Sequence, residues 1–324
     1  MAKSNSAKQG ASVRDQHFKD LGFGNKIGYD ILRLINKDGT FNVRRTGGGL
    51  GAIHPYQLLI SISWFQFFLI VVAFFVAFNT IFSLGYVIIG VETIHVTDPE
   101  VGFWEAFAQA FYFSVQTFST VGYGAMSPTG HPANMLASFE ALVGLLAFAL
   151  ATGVMFGRFS KPSAKINFSK NAIIAPYQDI NAFEFRIVNR RKNQLIGLKV
   201  QVVMTSYCRI NNSWKQDFFP LELERSEVTL FPMSWTIVHP ITPESPLYGL
   251  DAEAIAKLRT EFLIIMSGYD DTFAQTVHVL NSYRYDEVLW GAKFVKNFYD
   301  DEDGTVVVEV DKVGQCEKAI LNEY

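Results

Sequence analysis

Apolar and polar positions divide the chain into long stretches of different character. From about Gln57 to Gly90 the sequence is almost continuously apolar and carries no charged residue, and a second apolar run extends from about Asn134 to Phe159. Each run exceeds the roughly 20 residues that a helix needs to cross about 30 Å of hydrocarbon. The pattern therefore predicts two transmembrane helices, and the polar start of the chain argues against a signal peptide.

The beginning of the first run allows two interpretations. Tyr56, Leu59, Ile60 and Trp64 fit one face of an amphipathic helix that lies along the inner surface of the membrane. The same residues also fit the first turns of the outer transmembrane helix. The periodicity does not choose between these arrangements.

A shorter helical pattern lies between the two runs. Residues from Phe103 to Thr117 place apolar side chains near one helical face, over a length too short to cross a bilayer. Such a segment is tolerated at membrane depth only if protein surrounds it or if it lines a water-filled cavity. We therefore predict a re-entrant pore helix whose carboxyl end directs partial negative charge toward a cation.

The residues Thr120, Val121, Gly122, Tyr123 and Gly124 follow this helix. A dehydrated K⁺ needs oxygen ligands in place of its water shell, and inward-pointing backbone carbonyls supply them. The two glycines can adopt φ > 0 and turn alternate carbonyls inward. The threonine hydroxyl adds an innermost ligand, and the tyrosine ring is expected to wedge against the preceding helix. The pentapeptide alone would also suit an ordinary β-turn, but its position between a short helix and an apolar run favours a potassium filter.

One chain supplies a single segment of this kind, so four copies must surround a common axis. We expect a homotetramer that holds K⁺ at the filter residues and needs no other cofactor. Lys and Arg are absent between Arg45 and Arg158 and frequent on both flanks. Because cytoplasmic flanks carry the basic excess, both termini are predicted to lie inside, in a multi-pass protein of the plasma (inner) membrane.

From about residue 171 onward the pattern changes to short runs that are typical of strands. These runs are Phe183 to Asn189, Leu195 to Ser206, Val228 to His239, Phe262 to Ser267 and Thr305 to Val310, with one helix at Asp251 to Thr260. They favour an all-β cytoplasmic sandwich of immunoglobulin-like shape. The predicted domains are an N-terminal segment (1–53), a pore domain (54–162) and the sandwich (163–324). With a net charge of −3 and 49% apolar residues, the chain is not expected to bind nucleic acid.

Two pairs of motifs in the C-terminal region carry a resemblance. One pair is Thr236-Ile237-Val238-His239 with Ser245-Pro246-Leu247-Tyr248, and the other is Ser282-Tyr283 with Glu287-Val288-Leu289-Trp290-Gly291. With the filter residues, they make the chain resemble the inward-rectifier potassium channel family, and it looks most like the prokaryotic members. The resemblance covers nearly the whole chain. It implies a tetrameric channel with a slide helix, a re-entrant pore helix and a cytoplasmic vestibule.

The resemblance also implies roles along the inner helix. Phe148, Thr152 and Phe156 share one helical face that the family match puts on the conduction path, with Phe156 as the candidate gate. Without the resemblance, an aromatic residue at this spacing is more often part of ordinary packing. Gly144 and Gly153 are candidate hinges, although glycine in membrane helices also serves close packing.

Anionic phospholipid is the regulator that the resemblance implies. The basic residues that would bind its headgroups are Arg158, Lys161, Lys165, Arg191 and Lys192. The alternative is that these residues are only the orientation signal of a membrane protein, which needs no specific lipid site.

The vestibule and the filter surroundings both match and depart from the family pattern. Glu227 and Asp271 fall where the family carries vestibule acids, whereas Phe148 and Gly197 stand where strongly rectifying members carry acids. Polyamines are therefore expected to block this channel weakly. Gln116 replaces the pore-helix glutamate of animal members, so the filter must be supported by other contacts.

Glu140 lies inside the second apolar run, where a carboxyl group is unusual. It is either a functional group behind the filter or a protonated or paired side chain that joins two helices. The sequence has no metal-ligand spacing, phosphate-binding glycine loop or nucleophile elbow, so an enzyme is not expected. The rival classes are a membrane-anchored binding module with a vestigial pore and a coupled transporter, which usually shows paired broken spans.

Overall fold

The computed structural model describes residues 33–44, 46–47, 54–95, 102–161, 165–191, 193–210 and 213–323. The chain divides into two compact units. One contains the described residues from 46 to 161, and the other joins residues 33–44 to the described residues from 165 onward. The second unit therefore combines segments from both ends of the chain.

The first unit is helical. Its helices are α1 (Pro55–Ser61), α2 (Trp64–Ile89), α3 (Phe103–Phe118) and α4 (Gly130–Phe159). With 26 and 30 residues, α2 and α4 are long and apolar enough to cross a membrane, as the two apolar runs predicted. The helix α4 begins before its apolar run because its first turn is polar and contains Pro132, a residue suited to a helix start.

The structure separates α1 from α2. Ser63 caps α2: its hydroxyl accepts from the Gln66 amide at 3.2 Å, and the Gln66 side chain accepts from the Ser63 amide at 3.1 Å. This reciprocal capping box ends one helix and starts the next. The short helix before the outer helix is thus a separate element, but Trp64 belongs to α2, which corrects its expected place on the interfacial face.

The second unit is a β-sandwich. Its strands are β1 (Ile166–Phe168), β2 (Ala172–Tyr177), β3 (Ile180–Asn189), β4 (Leu195–Ile210), β5 (Ser213–Leu221), β6 (Glu227–Leu230), β7 (Ser234–Pro240), β8 (Glu261–Asp270), β9 (Gln275–Arg284), β10 (Val288–Trp290), β11 (Ala292–Phe294), β12 (Phe298–Asp300), β13 (Val306–Val308) and β14 (Cys316–Lys318), with the helix α5 (Ala252–Lys257) before β8. One five-stranded sheet has the order β1-β3-β2-β10 with β7 on β3, and the other has the order β5-β4-β8-β9 with β6 on β4. The predicted fold class, two spanning helices followed by an all-β domain, is confirmed.

The two large sheets share one apolar core. Phe183 on β3 stacks on Phe262 of β8, with the ring centroids 4.2 Å apart, so the two layers meet directly. Both rings are essentially excluded from solvent. Burial of such aromatic surface is the main source of stability in a sandwich of this kind.

The strand predictions were incomplete. The run from Val228 to His239 is interrupted between β6 and β7 at Pro232, which has no amide to donate to a ladder. The run from Thr305 to Val310 shortens to β13. The strands β2, β5 and β9 were not predicted because each contains proline or several polar residues, which weakens the alternating pattern.

An N-terminal segment docks on the sandwich. Leu34 and Ile35 are buried, and their amides donate to the two carboxylate oxygens of Glu261 at 2.9 and 3.4 Å. The Ser282 hydroxyl donates to the Ile35 carbonyl at 2.7 Å. Burial raises the pKa of Glu261 despite these hydrogen bonds. The segment is therefore an integral part of this unit.

Candidate functional site

The backbone sign of φ alternates along the predicted filter. Thr120, Gly122 and Gly124 have φ of +58°, +52° and +84°, and the residues between them lie outside the positive range. Left-handed residues in alternation turn successive carbonyls to one side, which is the arrangement that a carbonyl-lined path requires. A β-branched residue at positive φ is strained. The strain at Thr120 was not anticipated from the sequence.

The end of α3 holds the start of this segment. The Gln116 carbonyl accepts from the amides of Val121 and Gly122 at 3.0 and 3.4 Å, and the Thr117 carbonyl accepts from the Thr120 amide at 3.1 Å. Free carbonyls at a helix end are satisfied in this way by the chain that follows. The main chain of Gln116, rather than its side chain, thus supports the first filter residues.

The Tyr123 ring differs from the expectation. It leaves 78% of its surface exposed in the single chain, and the filter glycines have open space where a Cβ would stand. The ring therefore does not wedge tightly against the preceding helix of its own chain.

Four fully buried polar side chains join α2, α3 and α4. The Glu140 carboxyl accepts from the Tyr86 hydroxyl at 2.7 Å and contacts the Ser114 hydroxyl, which also lies 3.0 Å from the Asn79 amide oxygen. Glu140 thus contacts the helix α3, as the first interpretation expects, and joins transmembrane helices, as the second expects. Asn79, Ser114 and Tyr86 were missed, although polar residues inside apolar runs are the signal that identifies them.

Gly144 serves packing. A Cβ at this position would overlap the backbone carbonyl of Phe118, the last residue of α3. Gly144 is thus buried where two helices approach closely, and its role as a hinge stays a prediction. Gly153 has open space around it and is the second hinge candidate.

The candidate gate residues lie along an open face of α4. Phe148 and Phe156 are 76% and 72% exposed, and Thr152 between them is exposed with its hydroxyl donating to the Phe148 carbonyl at 2.9 Å. The three side chains share a face, as their spacing predicted. The described part of the chain leaves this face uncovered.

Arg158 is engaged inside the helical unit. Its guanidinium donates to the carbonyls of Leu59 and Ile62, the second at 2.8 Å, and lies 4.5 Å from the Trp64 ring centroid and 4.8 Å from that of Phe67. It caps the carboxyl end of α1 from the end of α4. These contacts occupy Arg158 within the helical unit, and its predicted role toward lipid headgroups stays a prediction.

The structure describes three of the other four basic candidates for binding lipid headgroups. Lys161 and Lys165 are exposed. The Arg191 amide donates to the Asn189 side chain at 3.0 Å, and Lys192 lies outside the described residues. The role of these residues toward lipid headgroups stays a prediction.

The vestibule candidates lie on the sheet that contains β4 and β8. Glu227 is 3.6 Å from Lys199, and the Asp271 carboxylate accepts from the Gln194 amide at 3.1 Å; both acids are exposed. Gly197 lies at a register shift of β4 with φ of +59°, a conformation that favours glycine. The bulge gives a physical reason for glycine, rather than an acid, at that position.

The two motif pairs hold loops onto the sandwich. In the first, the His239 ring donates from Nδ1 to the Glu222 carbonyl at 2.6 Å, and its Nε2 accepts from the Ser245 hydroxyl at 2.7 Å. Burial lowers the pKa of His239, which keeps the ring neutral. In the second, the Tyr283 hydroxyl donates to the Ser169 carbonyl at 2.7 Å. These motifs are structural.

Glu287, from the second motif pair, receives the docked N-terminal segment. The Arg33 guanidinium pairs with its carboxylate, and the Lys37 ammonium lies 3.2 Å from the same oxygen.

Among the described residues, no group of three or more His, Cys, Asp and Glu side chains could hold a metal ion.

Known proteins are similar to both units. The family model for the inward rectifier potassium channel C-terminal domain matches residues 166–322, and an ion channel model matches residues 58–161. The inward rectifier potassium channel Kirbac3.1 of Paramagnetospirillum magnetotacticum is 34% identical over 285 residues, which are 86% of this chain and 94% of that protein.

More distant relatives extend the comparison. The human and bovine G protein-activated inward rectifier potassium channel 1 are each 27% identical over 291 residues, covering 81% of this chain. The chain spans 56% of the length of those two relatives.

Two long apolar helices with a short helix between them, matched by the ion channel family model, define the class: a membrane ion channel. The two family models, and the relative that is 34% identical over 86% of the chain, identify the family: the chain belongs to the inward rectifier potassium channel family. Potassium is the permeant ion that this family implies, and the relatives are ion channels rather than enzymes.

Proposed function

We propose that the protein is a potassium-selective channel whose filter is formed by residues 120–124 of four identical chains. The alternating sign of φ at these residues carries the proposal, since it presents a row of carbonyls to one side. One row cannot enclose an ion, and four rows around an axis can. The exposed Tyr123 ring and the open space beside the filter glycines are consistent with neighbouring subunits there.

Gating is assigned to the exposed face of α4. Four copies of Phe156 near the cytoplasmic end would narrow the path and expel water, whereas Phe148 and Thr152 would line the cavity above. Gly153 lies between these positions and supplies the flexibility for opening. Polyamines entering from the cytoplasm would find an aromatic ring at Phe148 in place of an acid, and the acids Glu227 and Asp271 would attract them only in the vestibule.

Both termini are proposed to be cytoplasmic, with the membrane supplying a regulator. Each basic group near an anionic lipid surface contributes about 1 kcal/mol, so Lys161 and Lys165 favour such lipids without a specific pocket. Arg158 acts differently, as the capping contact between α4 and α1.

Rubidium tracer uptake into liposomes tests the proposal. Purified protein should take up rubidium along a potassium gradient, with block by Ba²⁺ and little competition from sodium. A membrane-anchored binding module would pass no ion, and a coupled transporter would need a second substrate. Uptake that sodium competes away as readily as potassium would contradict the filter assignment.

A further inference from the structure

The carboxyl of Glu140 lies completely buried where α2, α3 and α4 meet. Its Oε2 accepts from the Tyr86 hydroxyl at 2.7 Å, and its Oε1 contacts the Ser114 hydroxyl. That hydroxyl also lies 3.0 Å from Asn79 Oδ1, while Asn79 Nδ2 donates to the Phe75 carbonyl at 2.7 Å. The amide orientation of Asn79 is fixed by this last bond, because a carbonyl only accepts.

If the Glu140 carboxyl were ionised, this cluster would contain too few protons to satisfy its hydrogen-bond acceptors. The Ser114 hydroxyl has one proton and faces two acceptors, Asn79 Oδ1 and Glu140 Oε1. If Glu140 were ionised, one buried acceptor would face the hydroxyl without a proton, which is costly away from water. A proton on Oε1 completes the chain: Glu140 donates to Ser114, and Ser114 donates to Asn79.

Among the described residues of the helical unit, the lysines and arginines are Arg158 and Lys161, at and just beyond the end of α4, so none lies near this carboxyl in sequence. The sequence has no Lys or Arg between Arg45 and Arg158, and Arg158 is engaged at the end of α1. An unpaired carboxylate in a hydrocarbon-embedded helix bundle is strongly unfavourable. The hydrogen-bond count and the absence of a basic partner therefore lead to the same protonation state.

The cluster lies one helical turn from a second contact between the same helices. Ser114 precedes Phe118 by one turn of α3, and Glu140 precedes Gly144 by one turn of α4, where the Phe118 carbonyl lies against the glycine. Two contacts in register define both the rotation and the position of the last turn of α3. That turn contains Gln116, whose carbonyl holds the amides of Val121 and Gly122.

We propose that Glu140 is a positioning residue for the filter and acts as a neutral, proton-bearing carboxylic acid. It joins the outer and inner helices to the carboxyl end of the pore helix and so sets where the first filter carbonyls stand. The inference rests on the proposed potassium-channel function and adds to it a residue that touches no ion.

Replacement by the isosteric amide tests the protonation state. In Glu140→Gln the amide donates to Ser114 Oγ and accepts from Tyr86, as the neutral acid does, so rubidium uptake and its preference over sodium should equal wild type. Glu140→Ala leaves the Tyr86 and Ser114 hydroxyls without their partner, and the preference should fall at least roughly tenfold. Glu105→Ala, at an exposed position on the first turn of α3, is the matched control and should leave the preference unchanged.

An infrared difference spectrum between wild type and Glu140→Gln in liposomes adds a readout independent of flux. The carbonyl stretch of a protonated carboxylic acid should be present in wild type and lost in the variant, even if Glu140→Ala fails to assemble. Carboxylate bands instead, or a selectivity loss in Glu140→Gln as large as in Glu140→Ala, would overturn the inference. Wild-type protein without Ba²⁺-sensitive uptake would instead refute the proposed function.

Discussion

At the scale of single residues, backbone conformation explains the filter composition better than side-chain space does. Gly122 and Gly124 have positive φ, but a Cβ at either position would meet nothing within the chain. Glycine is thus required there because left-handed backbone costs other residues about 1–2 kcal/mol. Thr120 also has positive φ, and its β-branched side chain incurs the steric cost that glycine avoids.

Gly122→Ala should therefore impair selectivity while the protein still folds. The added strain recurs in every subunit around the same ion path, and the rubidium preference over sodium should fall at least about tenfold. Gly304→Ala is the matched control, since Gly304 also has positive φ and open surroundings but lies in the β12–β13 hairpin. It should lower thermal stability by a similar amount per chain without changing the preference.

Glu184 on β3 provides a pH dependence of stability. Burial raises its pKa from 4.5 to about 7, and the nearby Arg186 and Lys293 offset this only in part. The fold disfavours the charged form, so its stability is highest where the acid is protonated in both states. Stability falls as pH rises from the unfolded pKa toward about 7, by on the order of 3 kcal/mol.

Thermal unfolding of Glu184→Gln should show this directly. The variant should match wild type at about pH 4, below the unfolded pKa, and be more stable than wild type at about pH 8, because it never bears the buried charge. Glu253→Gln, at an exposed position on α5, should follow wild type at both values. Parallel pH profiles for wild type and Glu184→Gln would show that the carboxyl is not desolvated.

At the scale of elements, the inner helix has two glycines with opposite surroundings. Gly144 lies against the end of α3, and Gly153 is open. Gly144→Ala should displace the pore helix and reduce both assembly and rubidium preference. Gly153→Ala should leave the preference intact and change only the open probability, measured by single-channel recording in planar bilayers. Equal effects of the two substitutions would contradict this division of roles.

Substitutions of Arg158 can separate the effect of its capping contact between α4 and α1 from the effect of its positive charge. Arg158→Lys keeps a positive charge for lipid but cannot donate to Leu59 and Ile62 together while stacking on Trp64. We expect Arg158→Lys and Arg158→Gln to shift the open probability of the channel by similar amounts. Lys165→Gln serves as the comparison for charge loss alone. Wild-type gating in Arg158→Lys would favour a lipid role for this residue after all.

At the scale of the whole molecule, much of the apolar surface of α2 and α4 is left uncovered within the single chain. Only 22% of the most apolar window of α2 and 11% of that of α4 is buried within the chain. Lipid covers an outer helix, but an inner helix at a water-filled path also needs neighbouring copies. The proposed tetramer meets both requirements.

The face of α4 that bears Phe148 should control block by polyamines. In the tetramer, Phe148→Asp would place four carboxylates around the path, and spermine block in planar bilayers should change from weak to strong and voltage-dependent. Phe148→Asn, similar in size but neutral, isolates the effect of charge and should stay weakly blocked. Block that is the same in all three proteins would remove Phe148 from the path.

Local features of the fold could be predicted because their causes are local. The two spans and the pore helix follow from apolar runs of sufficient or insufficient length, and Ser63 with Gln66 carries a capping signal that would have separated α1 from α2. Strands containing proline or polar residues escaped prediction because neighbouring strands, rather than their own pattern, stabilise them.

By itself the sequence determined the two spans and the family and predicted the filter, since continuous hydrophobicity and the conformational freedom of glycine act on adjacent residues. Tertiary structure decided what Glu140, Arg158, Gly144 and the docked segment at Leu34 contact. Their partners lie far along the chain: 26 residues separate Ser114 from Glu140, 99 separate Leu59 from Arg158 and 227 separate Leu34 from Glu261. A polar or basic residue has many possible partners until folding removes water and leaves one, so its role is set by the packing around it.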